Sequence, residues 1–261
     1  MHLRVEGIEF SYNSVKVLKG IEFEIKRGEL VSILGTNGAG KTTLLKTINL
    51  ILRPSKGVVY LDGKRLDRMS GKEIAKRMGY VPQYSQKTPI KVFDAVLLGR
   101  KPYIKWEVSG EDIKRTEEVL KLLGLEKLAM RNLDQLSGGE FQKVMIARAI
   151  AQDPEILLLD EPMANLDLKN QMEVAELIRT ITERKGISTI VVMHDLNLAL
   201  RVSHRFILMK GGKVFRAGGP EIITEDVIKM VYGIDAIIEK IPGLNIKVVI
   251  PINGVKTWKN S

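Results

Sequence analysis

Gly35-Thr-Asn-Gly-Ala-Gly-Lys-Thr-Thr43 is the stretch that decides the fold. Gly35, Gly40, Lys41 and Thr42 satisfy G-x-x-x-x-G-K-[ST], a glycine-rich turn whose backbone N–H groups face the phosphates of a nucleotide. Thr36, Asn37, Gly38 and Ala39 complete the turn and Thr43 follows it, so the whole stretch is a candidate for nucleotide contact. Before it, Glu29 to Leu34 is an apolar run short enough for a buried strand. After it, Thr43 to Leu52 carries Leu44, Leu45, Ile48, Ile51 and Leu52 at helical spacing. Strand, loop and helix in that order place the loop at a helix N-terminus, where free N–H groups and the helix dipole favour an anion.

Two further stretches supply chemistry: Leu136-Ser-Gly-Gly-Glu-Phe-Gln142 and Ile156-Leu-Leu-Leu-Asp-Glu-Pro162. Phosphoryl transfer to water needs phosphate neutralisation, a metal ion, a positioned nucleophile and stabilised transition-state charge. Lys41 is the cation that reaches the outer phosphates, and Thr42 offers a hydroxyl to Mg2+. Asp160 follows an apolar run, at the carboxyl end of a buried strand where α/β sheets place ligands, and suits a carboxylate serving Mg2+. Glu161 is the best candidate for polarising the attacking water, although two adjacent acids here could instead cap a following helix. Ser137-Gly138-Gly139 leads a helix and offers an anion a hydroxyl, N–H groups and a dipole; Ser137 with Glu140 also reads as a capping box.

The length of 261 residues suits one α/β domain with a sizeable core. The chain has no cysteine, which excludes disulfides, thiolate metal sites and a cysteine nucleophile, and suits a reducing compartment. A net charge of +10 could attract nucleic acid or an anionic membrane. The basic residues are scattered in runs no longer than two, however, so a solvated basic surface is expected and nucleic acid is not. Residues Met1 to Phe10 lack the apolar core of a signal peptide, and no apolar run approaches the roughly 20 residues that cross a bilayer, so a soluble chain is expected.

Ile21, Phe23 and Ile25 alternate with Glu22 and Glu24, a half-buried strand at a sheet edge, and Lys26-Arg27-Gly28 turns into the core. Short strands follow at Val58 to Leu61 and Met78 to Val81. From about Tyr84 to Ala151 helical periods dominate, one marked by Ile113, Val119, Leu120, Leu122 and Leu123, another by Val144, Ile146, Ala147 and Ile150. Strands then resume at Ile156 to Leu159, Ile187 to Met193, Phe206 to Met209 and Val214 to Ala217, with helices near Asn170 to Arg184 and Leu196 to Val202. Alternating strands and helices predict a largely parallel sheet. A tail from about Tyr232 carries alternating Ile and Val around Pro242-Gly243, as in an appended hairpin.

With these motifs in this order, over about residues 1 to 217, the chain resembles the ATP-binding-cassette (ABC) ATPases. The resemblance implies an α/β fold: a P-loop NTPase core with a mostly parallel sheet, an antiparallel β edge and an inserted helical subdomain. It implies a single domain, with core at about 1–83 and 152–231, helical subdomain at about 84–151 and tail at about 232–261. In that family the signature serves the nucleotide of the opposite subunit. Ser137, Gly138, Gly139 and Glu140 would then act in trans, in a homodimer enclosing two ATP molecules.

By the same resemblance Tyr12 stacks on adenine, and Asn165-Leu166-Asp167 is the loop crossing the dimer interface, with Met163 where Thr or Ser is frequent. Gln83 senses Mg2+ and connects core to helical subdomain, and His194 contacts the γ-phosphate. The implied catalytic set is Lys41, Gln83, Glu161 and His194, and the implied Mg2+ set is Thr42, Gln83 and Asp160.

A single cassette without membrane spans resembles the detached ATPase subunits of prokaryotic importers. These lie peripherally on the cytoplasmic face of the membrane, dock on separate transmembrane permeases, here near Tyr84 to Tyr103, and meet a substrate-binding protein only indirectly. Ala95 to Tyr103, His194-Asp-Leu196 and Val248 to Pro251 look like the subgroup serving iron-siderophore, haem and cobalamin import. A zinc or manganese importer is the next reading. ATPases of iron-sulfur assembly or of nucleic acid are the alternatives outside transport.

Overall fold

The structure, a computed structural model, describes residues 2–241 and 246–253. Strands β1 (Leu3–Tyr12) and β2 (Val15–Ile25) form an antiparallel pair. The chain then enters β3 (Leu30–Gly35), the P-loop and helix α1 (Lys41–Ile48), and returns through β4 (Lys56–Leu61) and β5 (Lys64–Arg65). The antiparallel strands, expected as an edge of the core, make a sheet of their own in the order β2-β1-β4-β5. Burial explains the separation. In β2, Ile21, Phe23 and Ile25 are buried while Glu22 and Glu24 are exposed, which requires one wet face; β3 is buried at every position, which requires cover on both.

Helix α2 (Gly71–Arg77) leads to β6 (Met78–Val81), and α3 (Val92–Leu97), α4 (Gly110–Leu122) and α5 (Gly138–Ile150) follow before β7 (Ile156–Asp160). The chain continues as α6 (Leu168–Lys185), β8 (Ser188–Val192), α7 (Leu196–Val202), β9 (Arg205–Lys210), β10 (Lys213–Gly218), α8 (Glu225–Tyr232), β11 (Asp235–Ile241) and β12 (Ile246–Asn253). The second sheet has the order β10-β9-β3-β8-β7-β6, parallel except for β10. Successive side chains of β7 serve opposite faces. Ile156 and Leu158 pack with β1, β2 and α1, and Leu157 and Leu159 pack with the helices of the other face. That is why the strand reads as apolar throughout.

Several elements differ from their expected form. α1 stops at Ile48, because Asn49 caps it and Leu50 turns to φ +53°, leaving Ile51 exposed. In α4, Ile113 and Leu122 face solvent, and the buried stripe runs through Asp112, Thr116, Val119 and Leu120. Helices α2 and α8 add to the expected elements; Ser70 and Glu73 form a capping box before one and Thr224 caps the other. β11 and β12 form the expected hairpin, while its turn at Pro242-Gly243 lies outside the described residues. Among the described residues, no helix is long and apolar enough to cross a membrane.

Candidate nucleotide site

The carboxyl ends of β3, β7 and β8 converge. Gly35 ends β3, Asp160 ends β7 opposite Val192, and His194 follows β8. Gly40, at φ +96°, turns the chain into α1 in the left-handed region that glycine tolerates best. No side chain caps α1, so its first N–H groups remain directed at the loop.

Lys41 is buried, and its Nζ donates to the carbonyls of Gly35 at 2.8 Å and Thr36 at 3.1 Å. Burial pushes its pKa down, while the nearby charges of Glu161 and Asp160 push it up. Thr42 Oγ1 donates to Asp160 Oδ1 at 2.8 Å, and Tyr80 Oη donates to Asp160 Oδ2 at 3.3 Å. Burial raises the Asp160 pKa, the Thr42 hydroxyl draws it down and the Glu161 charge raises it again. A hydroxyl and a carboxylate so placed give the oxygen donors that a hard divalent cation takes. The Tyr80 phenol is pushed well above its ordinary value by burial and by Asp160.

Glu161 stands at φ +52°, and both of its oxygens are engaged. Gln83 Nε2 donates to Oε2 at 2.6 Å, and His194 Nε2 lies 2.5 Å from Oε1. The Gln83 amide nitrogen thus goes to Glu161 rather than to the Thr42–Asp160 pair. A cavity of about 330 Å³ is lined by Tyr12, Asn37, Gly38, Lys41, Thr42 and Glu161, among others. Its volume lies at the small end of ligand pockets. Tyr12, at the end of β1, is half exposed and packs edge-on against Phe10. A larger cavity, about 750 Å³, lies between the β4–β5 turn and α2; Lys64, Arg65 and Arg68 line it, and none of the P-loop residues does.

Ser137, Gly138, Gly139 and Glu140 line no part of the cavity at the P-loop. They start α5 as a capping box: Ser137 N donates to Glu140 Oε2 at 2.9 Å and Glu140 N to Ser137 Oγ at 3.3 Å. A methyl group on Gly139 would lie 2.2 Å from Asn170 Oδ1, so the Asn170 side chain packs directly onto this glycine and would have to move for any larger residue. Gly138 faces Leu166, and Asp167 caps α6 by accepting from Asn170 N at 2.8 Å. Asn165 stands at φ +62°, and Met163 is buried in the core, so an apolar side chain suits its place. Tyr80 and Asn170 join the site and its surroundings without a motif to mark them. Tyr80 lies two residues before Pro82, and only the pairing of β6 with β7 brings it to Asp160.

Residues 18–164 match the family model described as ABC transporter. The chain is 57% identical over 97% of its length, and 98% of the relative's, to an uncharacterised ABC transporter ATP-binding protein, MJ0089, of Methanocaldococcus jannaschii. It is 36% identical to the iron(3+)-hydroxamate import ATP-binding protein FhuC of Bacillus subtilis, covering 98% of this chain and 97% of that one. Among solved structures, an ABC transporter assigned to the metal-chelate type, in an inward-facing conformation, superimposes with a TM-score of 0.85 at 27% identity and 97% coverage of both chains. The dimeric cassette MJ0796 superimposes with a TM-score of 0.73 at 34% identity, covering 83% of this chain and 98% of that one.

Proposed function

The chain belongs to the ABC transporter ATP-binding family, whose members bind and hydrolyse ATP, and from that premise we propose that it powers an importer of iron chelates. The observation that carries the catalytic reading is Glu161, held between Gln83 and His194 beside the P-loop. In this reading Lys41 and the start of α1 neutralise the phosphates, and Tyr12 stacks on the adenine. Glu161 orients the attacking water and accepts its hydrogen. His194 contacts the γ-phosphate, and Gln83 links the site to the helices after β6. Thr42 and Asp160, with the Gln83 amide oxygen, would hold Mg2+, which when bound neutralises charge on the phosphate oxygens.

Because Ser137 to Glu140 lie outside the cavity, a second copy supplies them, and Asn165, Leu166 and Asp167 cross between the copies. ATP then favours the closed homodimer, and hydrolysis releases it. We read the chain as one domain, with core at about 1–83 and 152–231, helical subdomain at about 84–151 and tail at about 232–261. The exposed Tyr84 marks the start of the surface, reaching Tyr103, on which separate permease subunits dock at the cytoplasmic face of the membrane. A substrate-binding protein acts on the far side.

Iron chelates are favoured because FhuC and the enterobactin transport protein FepC carry those names; the cassette itself does not touch the cargo. The test is affinity purification of the Glu161→Gln chain from its host in mild detergent with ATP. A polytopic membrane protein in equal amount is expected. Recovery of soluble partners or nucleic acid alone would overturn the transport reading and leave the ATPase intact.

A further inference from the structure

The segment after β10 reaches the P-loop at one point and the start of α7 at another. α8 buries Val227, Ile228 and Val231, and the phenol of Tyr232, its last residue, lies against the backbone of Gly35. Burial pushes that phenol up to about 12, and the Gly35 backbone draws it back. β12 then reaches the first turn of α7. Val249 N donates to Asn197 Oδ1 at 2.8 Å, and Asn197 Nδ2 donates to Val249 O at 3.2 Å.

A carboxamide offers an acceptor and a donor side by side, as a neighbouring strand would, so Asn197 closes the outer edge of β12. Val249 stands opposite Ile238 with both backbone groups turned away from β11, as at a non-hydrogen-bonded position of an antiparallel pair.

Asn197 is the second residue of α7, whose start is fixed by Asp195. Asp195 Oδ1 accepts from Asn197 N at 2.8 Å and from Leu198 N at 2.9 Å. A helix of only seven residues has little stability of its own, so its first turn rests where its neighbours hold it. His194 directly precedes the cap, and its half-exposed ring meets Glu161. A continuous set of contacts therefore runs from the tail through Asn197 and Asp195 to the histidine.

From this geometry we propose that Asn197 is a positioning residue for ATP hydrolysis: the C-terminal hairpin braces the start of α7 and so holds His194 at Glu161. The inference rests on the role given to His194 above. Without the brace, His194 spends less time at Glu161, and turnover falls. ATP affinity, set by the P-loop and Tyr12, does not change. Two part-buried hydrogen bonds of ordinary strength correspond to a loss of about tenfold in that population.

The experiment is steady-state ATPase kinetics on full-length chains carrying Asn197→Ala, Asn197→Asp, His194→Ala and the double change Asn197→Ala with His194→Ala. Asn197→Ala is expected to lower kcat about tenfold and to leave the KM for ATP within about twofold. Asn197→Asp keeps the acceptor for Val249 N–H and should recover part of the rate. In the His194→Ala background, Asn197→Ala should cost nothing further, because the group it positions is gone.

An unchanged kcat in Asn197→Ala, or an equal loss in both backgrounds, would overturn the proposal and leave the role of His194 standing. A wild-type kcat in His194→Ala would overturn both. If Asn197→Ala does not fold, Val249→Pro carries the same expectations, since it removes the N–H given to Asn197 at a strand edge that tolerates proline.

Discussion

Glu161 combines two unusual features: a backbone in the left-handed region and a carboxylate contacted from both sides. That backbone costs a non-glycine residue about 1–2 kcal/mol, and the fold sustains it at the point where it aims the carboxylate. Lys41 shows a related compromise. Burial sets its folded pKa below the ordinary 10.5, so between the two values the folded chain holds fewer protons than the unfolded one. Its contribution to stability therefore rises with pH through that window and is a cost below it. Lys41→Met removes the buried charge and keeps the volume. Its stability at neutral pH is expected to stay within about 1 kcal/mol of wild type while ATP binding is lost; calorimetry measures both, and wild-type affinity would contradict the site. At this scale the P-loop residues were legible because their roles depend on neighbours in sequence. Tyr80 and Asn170 were not, since they matter only through the pairing of β6 with β7 and the approach of α6 to Gly139.

At the scale of elements, a buried pair ties α4 to the end of α5. Arg100 Nε donates to Asp112 Oδ1 at 3.1 Å and Arg100 Nη1 to Ala151 O at 2.9 Å, while Ser109 Oγ donates to Asp112 Oδ2 at 2.6 Å. The Ser109 hydroxyl, then its backbone N–H and Arg100, hold the Asp112 carboxyl below its ordinary 3.8 against burial. A depressed pKa gives stability that is complete above 3.8 and lost as pH falls through the folded value. Asp112→Asn leaves the buried Arg100 charge with the Ala151 carbonyl but no carboxylate, and should cost about 2 kcal/mol at neutral pH. Urea unfolding should show the gap closing below pH 3.8, and a pH-independent gap would assign the loss to packing instead. The strands around the site were legible as short, mostly apolar runs. Ile113 and Leu122 helped to mark α4 in the sequence yet face solvent, because apolar spacing alone cannot tell which stripe of α4 meets α3 and α5.

For the whole molecule, the two sheets and the helices between β6 and β7 present a P-loop on one part of the surface and Ser137 to Glu140 on another. The motif order made the family legible. It could not reveal that the N-terminal strands form a sheet of their own or that the tail grips α7, because both depend on contacts between distant segments. In the proposed homodimer, one chain holds half of each ATP site. The most direct test of this claim is light scattering on the Glu161→Gln chain with and without ATP. The mass should double from 29.3 kDa on adding ATP, and adding Ser137→Arg should return the monomer with ATP still bound. A Glu161→Gln chain saturated with ATP that remains at 29.3 kDa would contradict the claim.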